Sequence, residues 1–250
     1  MKNTLIYAFS IIIAGALIGG ALFYSKSPAT PGALVTPTPD SGKGVILDIQ
    51  EGDPVLGNPE APITIFNFSD FQCGFCGRHA MTAEKEIIEK YVKAGKVKMV
   101  FRNFAFLGEN SFFAAEATEC AKEQDKFWGF HDYLFSRLTG GEKVPFSKEN
   151  LKKFAVELGL DAVRFNDCFD SGKYATKIKN SAKNGSQYGV ISTPTNFIGK
   201  LPITIPDSVI KSIRDGQSRE YNYDLKDGAK LIIGAQPYSV FEEAIEKLLK

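Results

Sequence analysis

Two of the four cysteines in this 250-residue chain stand three apart, in Cys73-Gly-Phe-Cys76. An apolar, β-prone run from Ile63 to Phe68 leads into them through a polar turn. Beyond them Ala80, Ala83, Ile87 and Tyr91 recur at helical spacing, which predicts an amphipathic helix opened by the cysteines and ending near Ala94-Gly95. A cysteine at a helix N-terminus faces unpaired N–H donors at the positive end of the dipole, and both favour thiolate over thiol. A second cysteine one turn on can attack any disulfide that the first forms with another molecule. That is the layout of a thiol–disulfide exchange site.

Other uses of such a pair fit less well. A zinc ribbon needs a second pair of similar spacing, whereas Cys120 and Cys168 are single and far apart. Covalent haem attachment needs a histidine after the second cysteine, and residue 77 is Gly. No metal site and no cofactor are therefore expected beyond a redox-active Cys73–Cys76 disulfide.

The elements that must position the pair are legible as a pattern. Lys96–Phe104 alternates as a strand (Val97, Met99, Phe101), so strand, cysteine helix and strand form a βαβ unit. The pattern then turns helical. One stripe carries Phe113, Ala117, Cys120 and Ala121; a second has Phe127, Trp128, His131 and Leu134, with Asp125 as its expected cap. Leu151, Phe154, Ala155 and Leu158 make a third; a short piece holds Phe165, Cys168 and Phe169, and Lys173 to Tyr188 reads as one more helix. β character returns at Gly189–Gly199, interrupted by Pro194, and again at Leu231 to Gly234. A final helix follows, in which Ser239 and Glu242 match a capping box.

Lys and Arg number 30 against 29 Asp and Glu, which gives no footprint for nucleic acid or a polybasic membrane surface. Residues 1–24 are uncharged and mostly apolar from Thr4 onward, long enough for a transmembrane helix of roughly 30 Å; a cleaved signal peptide is the rival reading. Both imply export. Residues 25–44, rich in Pro, Thr, Ser and Gly, read as a flexible linker. The folded part is expected at 45–250, with a helical insertion at about 107–185 and a further segment at about 201–230.

Four motifs in order then resemble one family: the Asp70–Cys76 stretch, Glu116–Trp128, Gly189–Ile198 and Gly234–Tyr238. They are similar to those of the DsbA-type thiol–disulfide oxidoreductases. The resemblance implies an α/β thioredoxin fold with an inserted α-helical subdomain, here preceded by the N-terminal transmembrane helix. It implies that Cys73 forms the mixed disulfide and Cys76 resolves it. Thr193-Pro194 becomes the cis-proline loop beside the pair, where an extended client segment pairs with the backbone. Cys120 and Cys168 become a structural disulfide, against the alternative of two buried thiols. The implied partners are unfolded or newly exported protein thiols and a membrane redox partner that reoxidises, or reduces, the pair. The implied location is the cell membrane, single-pass, with the catalytic domain on the extracytoplasmic side.

Three features depart from that family's common pattern. Asn67 stands six positions before Cys73, where relatives often carry an acid, and an amide exchanges no proton. Gly74-Phe75 lacks the histidine that stabilises the thiolate in strongly oxidising relatives, which makes a less oxidising pair the expectation. The 201–230 segment is longer than usual and reads as a solvated decoration, with a short helix from Pro206-Asp207 through Val209, Ile210 and Ile213. His79 could come near Cys76, one turn along the helix, but reads as a surface or packing residue, and Asp70 receives no catalytic role. The direction of electron flow stays open between oxidase and reductase or isomerase, with a non-catalytic peptide holder as the reading from another class.

Overall fold

The computed structural model describes residues 44–140, 145–216 and 221–250. The expected anchor and nearly all of the linker lie outside the described residues. Among those described, no helix is long and apolar enough to cross a membrane.

The chain opens with β1 (Val45–Leu47), β2 (Val55–Leu56) and β3 (Ile63–Ser69), then α1 (Gly74–Met81), α2 (Ala83–Ile87) and a π-helical turn at Ile88–Val92. After β4 (Val97–Asn103) comes the helical block: α3 (Glu109–Lys122), α4 (Phe127–Thr139), α5 (Lys148–Glu157), α6 (Ala162–Asp170), α7 (Ala175–Lys179) and α8 (Ser181–Gln187). The chain closes through β5 (Thr195–Gly199), β6 (Ile203–Ile205), α9 (Asp207–Arg214), β7 (Asn222–Asp224), β8 (Lys230–Ile233) and α10 (Tyr238–Leu249). This is the α/β thioredoxin fold with a helical insertion between β4 and β5.

The main sheet runs β2-β4-β3-β5-β8-β7, parallel only between β3 and β4. Every residue of β3 is buried, as a strand covered on both faces requires. Ile63 and Ile65 face Ala83 and Ile87 of α2 and Phe241 and Ile245 of α10. Phe66 and Phe68 face the opposite core with Phe197, Ile210 and Ile213.

Several local expectations are corrected. The cysteine helix is not continuous: Thr82 leaves helical geometry (φ −124°, ψ −92°), and its hydroxyl donates to the Arg78 carbonyl at 2.7 Å. Such back-bonding bends a helix where the chain must change direction. Asp125 does not cap α4. It sits at φ +58°, where Lys126 N donates to Ala121 O at 3.0 Å, so it closes α3 in a Schellman turn. The Ser239/Glu242 capping box does not form, because Pro237 takes the cap position and Ser239 falls inside the helix. The Glu242 carboxylate instead accepts from Lys90 and from the Tyr238 hydroxyl. Lys173 to Tyr188 divides into α7 and α8 at Asn180.

The largest correction is the 201–230 segment, which is not a solvated decoration. β6 pairs antiparallel with β1, Val45 opposite Ile205, and buries Ile203 and Ile205. α9 buries Ile210 and Ile213, and β7 extends the sheet beyond β8 with Tyr223 buried.

In the helical block, Phe130, Phe135, Leu151, Phe165 and Phe169 pack around a disulfide joining Cys120 of α3 to Cys168 of α6, with S–S 2.06 Å. The Ser147 and Asp161 side chains cap α5 and α6 by accepting from Asn150 N and Arg164 N. The disulfide closes a loop across 48 positions. On the chain-entropy model it restricts the unfolded chain by about 4 kcal/mol, so replacing both cysteines with Ala is expected to lower unfolding free energy by that amount. Guanidinium titration of the full chain checks this, and a loss under about 1 kcal/mol would show that the crosslink adds little to the packing of the block.

Candidate active site

Cys73 occupies the cap position of α1, in extended geometry (φ −81°, ψ 114°). Its N–H donates to the Asp70 carbonyl and its own carbonyl accepts from Gly77 N, both at 3.0 Å. No acidic residue lies in the first turn to offset the positive end of the helix. Residue 77 must be small. A Cβ there would approach Thr139 Cγ2 of α4 to 2.8 Å, so Gly77 lets the helical block close against the cysteine helix.

The structure brings four of the expected residues together. The Thr193–Pro194 bond is cis. The Thr193 carbonyl accepts from Cys73 Sγ at 3.4 Å, and the Pro194 carbonyl accepts from Gly234 N at 2.7 Å. The loop after β8 therefore braces the proline, which explains why the Gly234–Tyr238 motif belongs to the site. That loop is tied to α1 in turn, since Arg78 donates to the Ala235 carbonyl at 3.4 Å. Cys120 and Cys168 stand apart, within the helical block.

The two thiols are strongly unequal. The Cys73 thiol is brought down to about 6. A hydrogen bond from the Cys76 thiol is the main cause; burial opposes it, and the Thr193 side chain and the N–H groups of Phe75 and Cys76 assist. The Thr193 hydroxyl is buried and has no other partner, so it is free to serve a thiolate. Cys76 is pushed well above the ordinary thiol value, first by burial and then by the neighbouring Cys73 sulfur, with the Ser69 side chain working weakly against this. Cys73 can thus attack or leave as thiolate at neutral pH, while Cys76 holds its proton.

Asn67 donates from Nδ2 to Asn196 Oδ1 at 2.8 Å, directly across β3 and β5. Asn196 was not among the expected residues; its signal was a polar residue amid the apolar alternation of a buried strand. Asp70 is buried and structural, its carboxylate accepting from Gln72, Phe106 and Leu107 N–H and from the Ser111 hydroxyl. Of the two readings of His79, surface or packing, the structure shows the second: it is buried against Phe241 of α10, and burial lowers it to about 4.

A family model described as thioredoxin matches residues 50–209. The chain belongs to the thioredoxin family. Among curated relatives of this thioredoxin-family chain, the disulfide bond formation protein D of Bacillus subtilis (strain 168) is 28% identical over 170 residues, covering 66% of this chain and 72% of that protein. A probable disulfide bond formation protein D of Bacillus cereus is 26% identical and covers 85% of this chain and 97% of its own. The fold matches the crystal structure of Wolbachia pipientis alpha-DsbA1 with TM-score 0.63 at 24% identity, over 81% of this chain and 92% of that one. Oxidised BdbD from Bacillus subtilis matches with TM-score 0.61 at 24% identity, over 83% and 96%. These matches share the thioredoxin fold of this chain, and the curated relatives among them are named for disulfide bond formation.

Proposed function

We propose that this chain is an oxidase that forms disulfide bonds in exported proteins on the extracytoplasmic side of the membrane. Cys73 is its nucleophile and leaving group, Cys76 its resolving cysteine. In the oxidising cycle a client thiolate attacks Cys73 of the Cys73–Cys76 disulfide and expels Cys76. A second client thiolate then attacks the client sulfur of the mixed disulfide. The client disulfide forms, Cys73 leaves as thiolate, and both protein cysteines end reduced. A membrane oxidase then reoxidises them. The names of the curated relatives support this direction, and the apolar span at residues 1–24 supports the location.

The observation that carries the reading is the depressed Cys73 thiol, at about 6. A stabilised thiolate stabilises the reduced pair and so makes its disulfide more oxidising. Phe75, two residues beyond Cys73, and Ile191, two residues before Thr193, are exposed apolar side chains next in sequence to the two halves of the site, suited to an unfolded client laid along the Thr193-Pro194 backbone.

Equilibrating the full chain with glutathione gives its potential. The expected value lies above thioredoxin's roughly −270 mV. A value at or below thioredoxin's would instead identify a reductase.

A further inference from the structure

Under the cysteine helix lies a set of buried ionisable groups that neither the fold nor the exchange cycle has so far required. Glu84, on α2, is 2% exposed. Its Oε2 lies 3.9 Å from Nε2 of His79 on α1, and its Oε1 lies 3.7 Å from Nε2 of His131 on α4. Both ring nitrogens of His79 and Nε2 of His131 are buried without a hydrogen-bond partner. From His131 the set continues outward: Nδ1 meets Asp132 Oδ1 at 2.8 Å, and the Asp132 side chain is 67% exposed. No other charged group intrudes from α10, where Phe241 covers His79 and the carboxylates of Glu242 and Glu246 are engaged by Lys90 and Tyr91.

The ligand atoms of Glu84, His131 and Asp132 lie within 4.8 Å of one another, but Glu84 and Asp132 meet opposite nitrogens of the imidazole, which suits a proton path better than a shared ion. Nor is Glu84 held as an ordinary ion-paired carboxylate: His79 is neutral at physiological pH, and both imidazole contacts exceed hydrogen-bond length. Buried polar atoms without partners in a native fold call for an explanation, and a role in proton exchange supplies one.

Cys76 supplies the need. It is 1% exposed and must take up a proton each time the disulfide opens, then release it each time it attacks a mixed disulfide. Asn67, six positions before Cys73 in sequence, exchanges none. His79 lies three residues beyond Cys76 on the same buried side of α1, a spacing that brings side chains to roughly 5–6 Å at Cβ. We propose that Glu84 is the proton reservoir for Cys76, exchanging with it through His79 and with solvent through His131 and Asp132. This rests on Cys76 being the resolving cysteine. When a client expels Cys76 as thiolate, the Glu84 carboxyl gives up its proton through the His79 imidazole, and Cys76 ends as thiol. When Cys76 attacks, the same proton returns to the Glu84 carboxylate. Burial holds Glu84 near 7, so both forms are populated at neutral pH, as a group that must give and receive requires.

The test follows the full chain, reduced, as it reacts with oxidised glutathione. Cys73 attacks first, and Cys76 then expels the glutathione from Cys73. In the unaltered protein the second step is expected to inflect near pH 7, and the first near pH 6. Glu84→Gln, nearly isosteric, should erase the second inflection and slow that step by roughly a hundredfold, leaving the first in place. His79→Gln should do the same. Second-step profiles unchanged in both variants would overturn the proposal. If a variant fails to fold, infrared difference spectra of the unaltered protein decide. The dithiol and disulfide states should differ in the carbonyl stretch of a protonated carboxyl, and identical spectra there would overturn it. An unaltered protein that forms no Cys73–glutathione adduct at all would instead sink the underlying exchange reading.

Discussion

A Cys76→Ala chain is expected to lose disulfide-forming turnover by roughly three orders of magnitude or more, while remaining able to capture sulfur on Cys73. The two thiols of the pair are unequal. Cys73, near 6, is mostly thiolate at neutral pH, and Cys76 is a buried thiol. When the Cys73 thiolate attacks a client disulfide, a Cys73–client bond forms and the other client sulfur departs with the electron pair. In the unaltered protein Cys76 then attacks Cys73 and frees the client. Alanine has no sulfur to do so, and no internal disulfide can form for the next oxidation. Groups that act as a unit fail together, which places the loss on the scale of removing a catalytic nucleophile rather than a binding contact. Non-reducing electrophoresis of the full chain with a disulfide-bearing client should show an adduct that thiol reductant dissolves. Absence of any adduct, with peptide binding retained, would favour the non-catalytic holder. One secondary effect is expected. The Cys76 thiol is the main hydrogen bond to the Cys73 sulfur, so its loss should move Cys73 back toward ordinary thiol values and slow capture at pH 7.

How much of this was legible in the sequence depended on whether the signal was local. Cys73 and Cys76 read directly, because strand, turn and helix signals converge on them within about fifteen positions. Pro194 inside a strand-like run was legible as an anomaly, and the family resemblance supplied its meaning. The 201–230 segment was misread because its partner is β1, more than 150 positions away, and no local pattern names a distant strand. The alternation of Ile203 and Ile205 was nonetheless there to see. Thr82 and Asp125 turned on hydrogen bonds made after the chain had bent, and the Ser239/Glu242 box lost to a proline two residues earlier. Glu84 is the instructive case. Residues 80, 83, 84, 87 and 91 all fall on one helical face, so a carboxylate stood where the stripe called for an apolar residue. Reading the stripe for its exceptions would have found it.

The second large effect is expected at Asp70, through stability and not through chemistry. Its carboxylate gathers four donors from three parts of the chain: Gln72 N at 2.8 Å, Phe106 N at 2.9 Å and Leu107 N at 3.2 Å, and the buried Ser111 hydroxyl at 2.7 Å. Those donors belong to the turn that carries Cys73, the loop leaving β4 and the first turn of α3. One side chain thus pins the start of the helical insertion to the cysteine turn. Hydrogen bonds to a charged acceptor are worth about 1.5–3 kcal/mol each, and donors left buried without a partner add their own desolvation cost. Three of the four bonds are only partly buried, so the low end of that range applies to them. Asp70→Ala should therefore lower unfolding free energy by about 5 kcal/mol, comparable with or above removal of the Cys120–Cys168 crosslink. Asp70→Asn separates the contributions. It keeps the shape and one acceptor oxygen but turns an NH2 group toward donors, and is expected to lose about half as much. Guanidinium titrations of both full-length variants measure these losses. A cost under about 1 kcal/mol for Asp70→Ala would mean that water replaces the carboxylate, and that the insertion is held to the cysteine turn by the packing of Phe71, Phe101 and Phe135 alone.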